Sequence, residues 1–249
     1  MLEIGLVSVA IQVSPDKLRL VIIGASNIVS DLFDCALANH LIPSKVVVHL
    51  PEDSGERSIP LAVRAAQLTL VCPPPVIEQF SEFQPVPGEV YLLGPTTPMR
   101  AVLAAELRRS FDLPFCTLVH PTAYVSPLAK IGPGSFVGAN SVIAAGALIE
   151  EHVFINRGAT IGHDTRIGAF SRIQPGSNLG GLSKLGRGVT VGIGATLVER
   201  LVIGDNAVIG AGSTVLDDVP ENVLVVGTPA RFLRSVANPV FRFGTPPPK

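Results

Sequence analysis

The chain has 249 residues, 47% apolar and 16% charged, with 24 Gly and 22 Pro, enough for one large or two modest domains with buried cores. Its 19 Lys and Arg against 20 Asp and Glu leave a net charge of −1, which removes the electrostatic case for nucleic acid or an acidic membrane surface. Cys35, Cys72 and Cys116 are odd in number and scattered, which excludes a disulfide scaffold, and no apolar run reaches the 18 or so residues of a membrane span.

Residues 1–16 include Glu3 and lack a basic-then-apolar leader, so a cytoplasmic protein without membrane insertion is expected. Mean hydropathy is +0.46, which calls for many buried β positions or a large subunit interface. Residues 1–17 read as an edge strand. Leu18–Ile23 is a short apolar strand ending at Gly24-Ala25-Ser26-Asn27. Ser26 or Asn27 is placed to cap a helix whose Ile28, Leu32, Cys35 or Ala36, and Asn39 recur at helical spacing. Val46–Leu50 reads as a second strand and Gln67–Cys72 as a third. Pro73-Pro74-Pro75 then opens a helix through Phe80. Val90–Leu93 and Phe115–Val119 complete five strands, flanking a helix over Met99–Arg109. Strands alternating with helices predict a small parallel sheet.

The character changes at Val119. Seventeen of the 24 glycines lie between Val119 and Asp218. From Val125, every sixth residue through Ile131, Val137 and Ile143 to Val215 is aliphatic, sixteen in succession. Four places after each comes a residue that is mostly small, such as Ser135, Ser141 and Ala147; Val153, Val189 and Leu201 are the larger exceptions. Glycine often follows the aliphatic residue, relieving either an unusual φ or a shortage of space. Neither a helix nor an ordinary strand repeats every six residues. A prism of three flat faces does, with eighteen residues per coil, each aliphatic residue pointing inward and coils stacked at about 4.8 Å. The boundaries expected are 1–118 for an α/β substrate-binding domain, 119–218 for the prism, and 219–249 for a closing segment with a mobile Pro-rich tail from Gly244.

The Ile-Gly-x-x-[Ser/Ala]-x pattern resembles the hexapeptide-repeat acyltransferases. His120-Pro121-Thr122-Ala123, Asn156, Ile161-Gly162-His163-Asp164 and Gly227-Thr228-Pro229-Ala230 make the chain similar to the sialic-acid O-acetyltransferase and bacillosamine-pathway N-acetyltransferase family. That resemblance implies a Rossmann-like N-terminal α/β domain followed by a left-handed parallel β-helix. It implies a homotrimer with acetyl-CoA as co-substrate in the cleft between prisms, and a sugar or nucleotide-sugar acceptor held partly by the N-terminal domain. His163 is then the general base and Asp164 its polarising acid. Imidazole suits this step because its ordinary pKa lies nearest neutrality. An exposed corner histidine is the alternative.

Gly24, Ser26, Asn27, Asn156 and Arg172 are the substrate-binding candidates, with Arg172, Gly227 and Arg231 (and Arg234 nearby) for the coenzyme. Asn156 orients a ligand group or is simply an ordered corner asparagine. His152 reads as a surface or cleft-lining residue and His120 as a structural residue at the junction. The chain departs from the family twice. Phe170-Ser171-Arg172 stands where relatives carry Phe-Ser-His, so Arg172 meets a phosphate or carboxylate, or is a surface arginine. The turn after Gly24-Ala25-Ser26 lacks the later glycines, which puts close approach of a nucleotide in doubt. Glu52-Asp53-Ser54-Gly55 is a loop within reach of a sugar, or merely solvated. Two other functions use the same prism: a zinc lyase, for which His120, His152 and His163 are a poor ligand set, and a non-catalytic trimeric scaffold or sugar-binding protein. No metal is expected.

Overall fold

The computed structural model describes residues 18–51 and 58–236. The edge strand expected in residues 1–17, the Glu52–Gly55 loop and the Pro-rich tail lie outside them.

The α/β part runs β1 (Arg19–Ile23), α1 (Val29–Ala38), β2 (Ile42–Val48), α2 (Leu61–Gln67), β3 (Val76–Gln79), β4 (Glu89–Leu93) and α3 (Arg100–Ser110). Its sheet has the order β3-β2-β1-β4 with every pair parallel. The connections leave β1 toward β2 on one side and return to β4 on the other. The carboxyl ends of β1 and β4 are therefore the switch point of the sheet, the place where open α/β sheets bind ligands.

Three local expectations are corrected. The apolar stretch Gln67–Cys72 is not a strand. Leu61, Ala65 and Leu68 are buried at helical spacing, so α2 continues into a 3-10 turn at Leu68–Leu70, leaving Leu70 and Val71 exposed. The triple proline opens no helix; its extended backbone leads directly into β3, which pairs with β2 and aligns Glu78 3.0 Å from Lys45. Phe115 meets the sheet through a single bridge to Tyr91, whereas β5 (Leu118–Val119) pairs with Phe136–Val137 of the prism. The sheet among the described residues thus has four strands. Neither Ser26 nor Asn27 caps α1 through its side chain.

From β5 to β21 (Thr214–Val215) the chain lays down seventeen two-residue strands. Each pairs in parallel with the strand eighteen residues away, as Ile149 does with Ile131 and Ile167. The strands form three flat sheets, the left-handed parallel β-helix. Every aliphatic residue of the six-residue repeat from Ile131 to Val215 is buried in one continuous core. The small residues are buried at the corners, where Ser141 Oγ donates to Asn156 O (2.9 Å) and Ser177 Oγ to Gly192 O (2.8 Å). The three large exceptions share one kind of hydrogen bond. Val153, Val189 and Leu201 each follow a serine by eighteen residues, and their N–H groups donate to Ser135, Ser171 and Ser183 Oγ.

The corner conformation sits two residues beyond where the glycine pattern suggests. All fourteen residues at six-residue intervals from Gly134 to Gly212 have positive φ: seven glycines, two asparagines, and His152, Asp164, Phe170, Leu182 and Arg200. The glycines following the aliphatic residues answer to space instead. A Cβ on Gly132, for example, would lie 2.6 Å from Glu151 N in the next coil. Gly227 ends β22 (Val223–Gly227), which turns into the antiparallel β23 (Ala230–Ser235) to close the prism.

The α/β part is packed firmly on one prism face. Phe136 and Phe154 stack at 4.7 Å and join a core with Leu20, Ile22, Leu32 and Val90. Asn39 Nδ2 at the end of α1 donates to Val119 O (2.9 Å). Arg100 is 3% exposed, and its guanidinium donates to Thr96 O, His152 O and Ser171 O.

Candidate active site

Stacking brings together side chains eighteen residues apart, so the surroundings of His163 come from neighbouring coils. At its corner the column runs Ala145-Gly146, His163-Asp164, Gly181-Leu182, Glu199-Arg200. The ladder passes through it: Asp164 N–H donates to Ala145 O (2.9 Å) and Leu182 N–H to His163 O (2.8 Å). Asp164 has φ of +55°, a conformation that Asp tolerates better than most residues. The turn it makes aims its carboxylate back at the preceding side chain.

His163 Nδ1 lies 2.9 Å from Asp164 Oδ2. A carboxylate only accepts, so Nδ1 carries the proton and Nε2 keeps its lone pair. The side chains are 58% and 60% exposed on one protomer. Both are accommodated by missing Cβ atoms. A Cβ on Gly146 would come 2.2 Å from Asp164 Oδ1, and one on Gly181 would come 2.7 Å from His163 Nε2. Sequence reading passed over Gly181, although a step of eighteen from His163 points to it.

The other candidates lie elsewhere on the protomer. Gly24 (φ +82°) and Gly94 let two loops touch: a Cβ on Gly24 would lie 2.7 Å from Pro95 Cδ, and Ser26 Oγ donates to Gly94 O (2.7 Å). Asn27 follows in the same loop after β1. Asn156, 5% exposed, is at the preceding corner, where its Oδ1 accepts from Arg157 N–H (2.8 Å). Arg172 projects from the face against which the α/β part packs. It is half-buried, its Nε is 3.3 Å from Thr190 Oγ1, and burial lowers its pKa. No ion pair to it is found among the described residues. Burial, and then the charge of Arg172, push neighbouring Arg100 down to about 9. Gly227 N–H donates to Ser213 Oγ (3.0 Å), and Arg231 lies exposed in the closing hairpin, 3.8 Å from Asp217. The structure therefore groups His163 with Asp164 and disperses the remainder.

His152 is not a surface residue: it is 2% exposed, stacked on Phe170 at 5.0 Å and edge-on to Phe115, and it lines a cleft beside Phe115 and Glu151. Burial pushes its pKa down to about 4, with Arg100 and Arg108 adding to the effect and Glu151 opposing it. His120 takes Thr122 N–H on Nδ1 (3.2 Å), a local turn at the junction. Clefts of about 680 Å³, beside Phe115 and Glu151, and about 740 Å³, beside Arg166 and Lys184, both lie away from His163. Among the described residues no three His, Cys, Asp or Glu converge as a metal site, and no helix is long and apolar enough to cross a membrane.

Residues 183–217 match the family described as bacterial transferase hexapeptide (six repeats). Galactoside O-acetyltransferase of Escherichia coli K12 is 53% identical over 36 residues, 14% of this chain and 18% of that protein; the match spans under a fifth of that curated relative. Solved structures match far more of the chain. PerB of Caulobacter crescentus, in complex with CoA and GDP-perosamine, is 26% identical with a TM-score of 0.71, covering 87% of this chain and 97% of that one. The acetyltransferase domain of PglB from Neisseria gonorrhoeae FA1090, in complex with acetyl coenzyme A, is 28% identical with a TM-score of 0.70, covering 86% and 98%. In repeat, in the order of its two parts and in overall architecture, this chain is similar to the hexapeptide-repeat acetyltransferases.

Proposed function

We propose that the protein is an acetyl-CoA-dependent acetyltransferase acting on an amine or hydroxyl of a sugar or nucleotide sugar. The observation that carries this reading is the 2.9 Å contact between His163 Nδ1 and Asp164 Oδ2. It leaves Nε2 as the nitrogen with a free lone pair, the one able to take a proton from an attacking acceptor. His163 takes the proton that the acceptor loses as it attacks, and returns it to the departing thiol. Asp164 holds the ring in the required tautomer and stabilises the imidazolium formed between those two transfers. Gly181 N–H, which pairs with no carbonyl among the described residues, is a donor beside the ring for the developing oxyanion. Bound acetyl-CoA supplies the activated carbonyl and the thiol leaving group. Gly227, Arg231 and Arg172 are the residues proposed to hold it, since guanidinium groups match phosphate geometry.

The acceptor is assigned to the carboxyl ends of β1 and β4, beside Gly24, Ser26 and Asn27, with residues 1–118 as the substrate-binding unit. Asn156 and the charged Arg172 complete that assignment. Because His163 stands at an open corner while the protomer's clefts lie elsewhere, the working cleft is read as one between prisms, in a homotrimer. A cytoplasmic location follows from the same reading.

Release of CoA from acetyl-CoA, followed with a panel of UDP-, dTDP- and GDP-linked amino sugars, tests the proposal. His163→Ala is expected to lower kcat by about 10²–10⁴-fold with folding retained. Undiminished turnover in that variant overturns the mechanism.

A further inference from the structure

Most corner glycines have a backbone reason for being glycine. Gly181 does not. It is outside the left-handed region that claims Gly146, Gly176 and Gly194, so φ does not demand it. Nor does its slot in the coil exclude side chains, since the same corner position holds Ala145 one coil before His163 and Glu199 one coil after Gly181. What excludes a side chain at 181 is the imidazole. A Cβ there would lie 2.7 Å from His163 Nε2, 2.8 Å from Cδ2 and 3.0 Å from Cε1, the first two closer than a side-chain carbon comes to a neighbour. The face of the ring beside the basic nitrogen occupies the space that a Gly181 side chain would take.

From this we infer that Gly181 is a positioning residue for the general base, an inference that rests on the role proposed for His163. The ring is held between two constraints. Asp164 Oδ2 fixes Nδ1 from the side, and the bare Cα of Gly181 lets the Nε2 edge lie flat against the next coil. Adding one methyl group at 181 pushes on the free end of an exposed side chain, which swings away without disturbing the coil. The swing breaks the alignment of Nδ1 with Asp164 and moves Nε2 off its site. The acceptor must then reach Nε2 across the surface of Gly181, so the glycine also sets the floor over which the nucleophile approaches.

Gly181→Ala separates this from a structural role. The variant is expected to melt within about 2 °C of the wild type, while kcat falls at least tenfold, the order of loss that a displacement near 1 Å brings. Nitrogen-15 spectra of the His163 imidazole should show the Nδ1–H tautomer dominant in the wild type and mixed in Gly181→Ala. Because both changes act through one ring, the double variant Gly181→Ala with Asp164→Asn should lie within about twofold of Asp164→Asn alone. Wild-type kcat and an unchanged tautomer in Gly181→Ala overturn the inference, as do multiplicative losses in the double variant. Unfolding of Gly181→Ala overturns it too, since a structural demand would then explain the glycine. If His163→Ala proves fully active, the proposed function falls, yet the imidazole spectra still decide whether Gly181 holds the ring.

Discussion

At the scale of single residues, the two prism histidines show how placement decides chemistry. His163 is an exposed ring braced by its neighbour's carboxylate. His152, eleven residues earlier, is sealed between Phe115 and Phe170, where burial holds its pKa at about 4. The unfolded imidazole titrates at 6.5, so between those values the unfolded chain binds a proton that the folded chain refuses. Stability from this residue is complete above pH 6.5 and is lost as pH falls toward 4, by about 2 kcal/mol between pH 7 and 5. Urea melts of the wild type and His152→Phe across that interval check it; parallel slopes would refute the assignment. The His163-Asp164 pair was legible in the sequence because its members are adjacent and lie in a familiar motif. The burial of His152 was not, because its cover comes from Phe115, thirty-seven positions upstream, and from Phe170 on the next coil.

At the scale of the structural element, the coil is ruled by one left-handed residue per corner. Where that residue is not Gly, Asn or Asp, the backbone carries a steric cost. Arg200 is such a case, with φ of +65° and a side chain 66% exposed whose ion pair is to the adjacent Glu199. An exposed pair of this kind adds little. Arg200→Gly is therefore expected to stabilise the fold by about 0.5–1 kcal/mol, the reverse of what glycine usually does, as read from denaturant midpoints. The coil was the most legible part of the chain, since sixteen aliphatic positions in one register require a three-faced prism; its left hand came from the family resemblance. The helices and strands of the α/β part were less so. Leu68-Thr69-Leu70-Val71 has the composition of a strand, but the pairing that makes β3 is supplied by β2, and Val76 and Ile77 on that edge are exposed, so no pattern of burial marks it.

At the scale of the whole molecule, two cores are joined through an aromatic stack. Phe154 is 4% exposed, lies in the prism's eight-stranded sheet, and contributes its ring to the core of the α/β part. Phe154→Ala is expected to cost about 3–5 kcal/mol and to loosen the α/β part from the prism. Hydrogen exchange in β1 and α1 should then rise ahead of exchange in the coils; uniform loss of protection would show that the two parts do not unfold separately. The closing hairpin and the first coil bracket a middle built of interchangeable turns, and this gives the chain a quantised length. Excising residues 184–201 joins Ser183 to Val202 with every column still in phase and keeps Gly146, Asp164 and Gly181 around His163, whereas removing one residue turns all later aliphatic side chains outward. Such a scaffold tolerates growth or shortening only by full coils, so variation in height among prisms of this kind leaves the chemistry at a given corner untouched.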